Sequence, residues 1–152
     1  MSAVQVRLEL PPTQGESFSR ADVTFYGIDH SGPSFRVHVF FDVPDATTET
    51  PRTTDAGYVG SFAVFGHGGC FGEEGHCDVR GPVTAFDRRP SHPLVPATRV
   101  LIATDEVRRR VAAGARTVQV SAVADVRPSA LAHADDADDV LVVDQVALHT
   151  YQ

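Results

Sequence analysis

Residues 34–43, SFRVHVFFDV, constrain the fold more than any other stretch of the chain. Phe35, Val37, Val39, Phe41 and Val43 fall on one parity, while Arg36, His38 and Asp42 fall on the other. A period of two is the signature of a strand with one buried face and one wet face. The other face, His38 included, is therefore expected to be solvated. The same alternation opens the chain, where Val4, Val6, Leu8 and Leu10 interleave with Gln5, Arg7 and Glu9 until Pro11-Pro12 stops the strand. It returns over residues 21–28, at 57–65 with Tyr58, Phe62 and Val64 assigned to one face, and at 99–104. Residues 116–126 should bury Val118, Val120, Ala122 and Ala124, and 140–151 form the last strand, with a β-bulge near Asp144 where the parity changes.

One segment follows a different rule. Residues 105–113 place Asp105 and Glu106 where the positive end of a helix favours acids, and Arg108 to Arg110 at the opposite end, with Gly114 as the stop. About seven to eight short strands and one short helix predict an all-β fold, an antiparallel β-sandwich or closed barrel. At 152 residues the chain is long enough to bury one core, so 1–152 is expected as one β-sandwich domain. Residues 44–56, PDATTETPRTTDA, show no periodicity and are expected as a long polar connection.

Charge and hydropathy exclude some functions. The net charge is −7 and the thirteen basic residues, all arginine, are scattered along the sequence, so no footprint for nucleic acid is expected. No apolar run approaches the roughly 20 residues that span a bilayer, and no membrane role is expected. The first ten residues alternate instead of forming a secretory leader, which predicts a cytoplasmic protein with reduced thiols.

The chemistry concentrates in the glycine-rich loop 66–80, GHGGCFGEEGHCDVR. It holds both cysteines of the chain, Cys70 and Cys77, together with His67 and His76. Thiolate and imidazole suit copper or zinc, and these four residues would complete a tetrahedral shell if the loop curls. Two other outcomes stand beside a metal site: a Cys70–Cys77 disulfide, or two idle thiols. A blue-copper centre is excluded, because its usual axial methionine has no candidate beyond Met1. His92 in RPSHPL is a weak further ligand, the aspartates at 135, 136, 138 and 139 lack calcium-loop spacing, and no G-x-S-x-G elbow is present. No residue is assigned a catalytic role.

The order of ADVTFYGI, SFRVHVFFDVP, YVGSFAVFGHG, the R-P-x-H-P-L segment, the helix TDEVRRRVAAG and the strand TVQVSAVAD resembles the C-terminal β-domain of bacterial tyrosinases and plant polyphenol oxidases. The resemblance runs from about residue 3 to 126. It implies a β-sandwich or barrel that packs over a dicopper domain, shields its active site and in some members helps with copper loading. The paired histidine triads that hold the two coppers in that family are missing here. The resemblance thus implies a companion of a tyrosinase-like dicopper enzyme and not the oxidase itself. Phe71, at the loop tip, matches the bulky side chain that plugs the active site in family members. Three functions follow as expectations: a shielding or copper-handling companion acting through the Cys/His loop, a structural interaction module with a Cys70–Cys77 disulfide, or a small metalloenzyme using the loop site.

Overall fold

The computed structural model describes residues 3–12, 17–67, 94–127 and 140–152. Seven strands are present in these segments: β1 (Ala3–Glu9), β2 (Arg20–Ile28), β3 (Phe35–Phe41), β4 (Tyr58–Val64), β5 (Ala97–Ile102), β6 (Thr117–Asp125) and β7 (Gln145–Tyr151). One helix, α1 (Thr104–Ala112), lies between β5 and β6. The strands form a four-stranded sheet, β1-β6-β3-β4, and a three-stranded sheet, β5-β2-β7, every pairing antiparallel. This is a β-sandwich of two open sheets, which decides between the two architectures that the alternation allowed.

The inner parities meet as expected. Phe35, Val37, Val39 and Phe41 of β3, Val118, Val120 and Ala122 of β6, and Phe62 and Val64 of β4 face Ala21, Val23 and Phe25 of β2 across one buried core. Phe25 and Phe62 pack ring against ring between the sheets, with centroids 5.0 Å apart. The helix starts at Thr104, one residue earlier than the acids suggest, and Thr104 Oγ1 ties that start to β2 by accepting a hydrogen bond from the Ala21 amide at 3.0 Å. Val107 is its fully buried contact with the core, and Gly114 follows its end. Arg110 fastens α1 to the end of β3. Its Nε donates to Asp42 Oδ2 at 2.7 Å, and its guanidinium lies 4.8 Å from the centre of the Phe41 ring.

Three local expectations need correction. Tyr58 does not share a face with Phe62 and Val64. The β3–β4 register slips between Val39↔Gly60 and Phe40↔Tyr58, so Tyr58 turns to the outer face and packs on Phe40 with centroids 5.4 Å apart. The last strand begins at Gln145, not at 140. Val140 and Leu141 are buried ahead of it, outside the strand, and Asp144 lies against Gly27 of β2. Gly27 has φ +66°, and a Cβ there would sit 2.1 Å from Asp144 Oδ2, so the irregularity in β2 needs glycine.

The third correction concerns the outer face of β3. Connection 44–56, which includes a 3₁₀ turn at Thr54–Ala56, lays Ala46 over Phe40 and Val123. This small second core is completed by Tyr58 and by Val43, which alternation had placed inward but which crosses over after β3 ends and Asp42 takes a positive φ. It excludes water from the face marked as wet. His38 is accordingly buried, with 2% of its surface exposed. A strand's own pattern cannot report a cover supplied by a loop without periodicity.

Candidate functional site

One end of the sandwich carries the groups with chemistry. There β4 runs out through Phe65 and Gly66 to His67, and the turn at residues 29–33 lies beside it. Gly66 donates its amide to Ser34 Oγ at 2.9 Å. A Cβ on Gly66 would come within 2.2 Å of the Gly32 carbonyl oxygen and 2.3 Å of the Pro33 carbonyl carbon, so glycine permits this close approach. One residue on, the His67 amide donates to the His30 carbonyl at 2.9 Å, and the two imidazoles meet edge to face with centroids 4.9 Å apart. The second ring is fixed in turn by His30 Nε2, 2.8 Å from the Val95 carbonyl. His67, the first of the four expected metal ligands, thus sits three residues past the end of β4, braced by a histidine from another turn.

Cys70, His76 and Cys77, the remaining expected ligands, and Phe71, the expected partner-facing residue, lie outside the described residues. Among the described residues no group of three or more histidine, cysteine, aspartate or glutamate side chains is placed to hold a metal ion. Among them, too, no helix is long and apolar enough to cross a membrane. The pairing of His30 with His67 was not anticipated from sequence. The two stand thirty-seven positions apart, and only the packing of Gly66 against residues 32 and 33 brings them together.

A second cluster lies on the outer face of the four-stranded sheet at the same end. His38 Nε2 stands 3.4 Å from Asp125 Oδ2, and its Nδ1 stands 3.5 Å from the Tyr58 hydroxyl. Asp125 in turn accepts from Arg52 at 3.3 Å. Burial holds the His38 pKa below the ordinary histidine value, and the positive charge of Arg52 adds to this effect. The Asp125 carboxylate pulls the other way without overcoming them. Next to this cluster the surface opens into a cleft of about 540 Å³, whose lining includes Arg36, Arg52, Asp125 and Arg127. Phe65 also lines it, 73% exposed, and Phe35 belongs both to this lining and to the core. Arg36 and Asp125 are cross-strand partners in the β3–β6 ladder, and Arg52 arrives on connection 44–56. Of these residues, sequence patterning could place Arg36 and His38 on one face, but not Arg52 beside them.

No family model and no curated protein matches the chain. Solved structures do. The chain is similar to latent aurone synthase (polyphenol oxidase) from its natural source, with a TM-score of 0.53 and 16% identity over 98% of this chain and 24% of that one. It is also similar to recombinantly expressed latent aurone synthase co-crystallised with hexatungstotellurate(VI), with a TM-score of 0.54 and 14% identity over 99% of this chain and 24% of that one. The chain spans about a quarter of the length of these solved chains. The resemblance drawn from the sequence is thereby borne out as a likeness of fold to a domain-sized portion of a polyphenol oxidase.

Proposed function

We propose that this chain, built like one quarter of a latent polyphenol oxidase, is a non-catalytic companion of a tyrosinase-like dicopper enzyme. The observation that carries this reading is the match of 98% of the chain to a domain-sized part of such an enzyme. A latent enzyme is one whose activity is held back, and a β-sandwich laid over the copper entrance would hold it back by excluding substrate. In this reading the loop 66–80 faces that entrance, with Phe71 nearest to it. His67 is anchored after β4 by the hydrogen bond that its amide donates to the His30 carbonyl, which gives the loop a fixed first residue.

The same loop would handle copper as cargo. His67, Cys70, His76 and Cys77 offer two sulfurs and two imidazoles, a donor set that suits Cu(I) or Zn²⁺. In a cytosolic setting the thiols stay reduced, and Cu(I) can pass from a loop of moderate affinity to an all-histidine dicopper site. Binding requires the thiols to lose their protons, so uptake should weaken as pH falls.

Reconstitution tests both parts. Copper-free dicopper enzyme is mixed with limiting Cu(I) and with this chain, either wild type or Cys70→Ser/Cys77→Ser, and phenol oxidation is followed. Faster activation by wild type than by the double variant is expected, and equal activation would remove the copper role. Inhibition of copper-loaded enzyme by both forms, relieved by Phe71→Gly, is expected from shielding. No inhibition by either form would remove the companion role. A chain that takes up no metal and keeps a Cys70–Cys77 disulfide under reductant would favour a structural module.

A further inference from the structure

We propose that the arginine-lined cleft at the end of the four-stranded sheet binds a carboxylate that carries a flat apolar group next to it. The proposal is independent of the companion reading, since it uses none of the residues of loop 66–80.

Composition argues against chance. The chain has a net charge of −7, yet three of its thirteen arginines come from three separate segments to one opening: Arg36 from β3, Arg52 from connection 44–56 and Arg127 from the end of β6. Among the described residues of that lining Asp125 is the one carboxylate, and it is already engaged by Arg52 at 3.3 Å. Burial disfavours the charged form of His38 behind it, so the histidine adds no cation near neutral pH. Among the described lining residues, three guanidiniums stand against one carboxylate. Arg36 is steadied by donating to Ser61 Oγ at 3.1 Å, which sets its plane in advance of any ligand.

The chemistry of the ligand follows from these groups. A guanidinium presents a planar fork of N–H donors that matches a carboxylate through two parallel hydrogen bonds. Phosphate also matches the guanidinium fork, but it carries no apolar surface to set against Phe65, which favours a carboxylate joined to a flat apolar group. Phe65 leaves most of its ring in solvent at the lining of the cleft, beside the buried Phe35, and an apolar group on the ligand would cover it. The cleft volume lies within the range of roughly 300–1,000 Å³ typical of small-ligand sites. The carboxylate can come from a free aromatic acid or from an acidic side chain with an aromatic neighbour on another protein. The chemistry of recognition is shared.

The test is calorimetric titration of the full chain at low ionic strength with five probes. These are 3-phenylpropionate, its uncharged amide, acetate, the capped peptide acetyl-Phe-Asp-Gly-amide and inorganic phosphate. The acid or the peptide should bind at least about tenfold more tightly than the amide, and Arg127→Gln should remove most of that difference. Phe65→Ala should weaken 3-phenylpropionate and leave acetate unchanged. Arg127 and Phe65 are exposed, so neither variant threatens the fold. Arg7→Gln, on the far strand β1, should change nothing. Tighter binding of the peptide assigns the cleft to a protein partner, and tighter binding of the free acid assigns it to a metabolite. Equal binding of acid and amide, tighter binding of phosphate than of either carboxylate, or full binding by Arg127→Gln would overturn the proposal.

Discussion

His38 shows what a single side chain can contribute once a loop covers it. In the unfolded chain it protonates near the ordinary value of about 6.5, but burial and Arg52 lower that value in the folded protein. The unfolded state therefore binds the proton first as pH falls. The stability associated with His38 is intact above about pH 6.5 and is lost as pH drops from there towards the folded value. Urea unfolding at pH 7.5 and 5.5 should show wild type losing stability over this interval, and His38→Gln losing less. An equal loss in both would place the pH sensitivity elsewhere. Gly66 makes a second prediction at this scale. Alanine there would meet the backbone at residues 32 and 33, so Gly66→Ala should cost about 1–3 kcal/mol, read as a lowered urea midpoint. Gly66 could be recognised in the sequence as the point where strand β4 ends. Its neighbour across the gap could not, because residues 32 and 33 carry no pattern that pairs them with position 66.

The elements were largely legible, for a reason that also marks where legibility stopped. Inward parity on β3, β6 and β1 matches the structure because each strand packs one face on a single shared core. Phe41 and Val39 belong to that core, so Phe41→Ala or Val39→Ala should cost about 2–4 kcal/mol, measured by chemical unfolding. An unchanged midpoint would mean that the strand's faces had been assigned the wrong way round. Where the parity broke, at Tyr58 and before Gln145, the cause was a register shift or an irregular approach. A shift of one position moves a side chain from core to surface, and a sequence shows it only as a blurred alternation. Helix α1 makes the last test of elements. Its link to β3 through Arg110, Asp42 and the Phe41 ring predicts that Arg110→Ala costs about 1–2 kcal/mol, more than removal of the exposed Arg109.

At the scale of the whole molecule, the class and strand number were legible, and so was the likeness to a polyphenol oxidase domain. The candidate sites were less so. Cys70, His76 and Cys77 were picked out by residue type and spacing and Phe71 by the family resemblance, and their arrangement lies outside the described residues. The arginine cleft was invisible because it draws on three segments whose charges look scattered when read in order. That same gathering of distant segments governs how the protein must form. β1 pairs with β6, Ala3 facing Val123, and β2 pairs with β7, Arg20 facing Tyr151. Each ladder joins positions more than a hundred residues apart, so neither sheet can close while the chain is still short. Search through so many alternative partners is slow, and refolding should take milliseconds to seconds, as for other sandwiches with mostly distant pairings. On the ribosome, at about 5–20 residues per second, β2 waits several seconds for its mate, and the aromatic strand β3 stays uncovered on one side until β6 emerges. Newly made chains should therefore depend on holding chaperones in proportion to this wait.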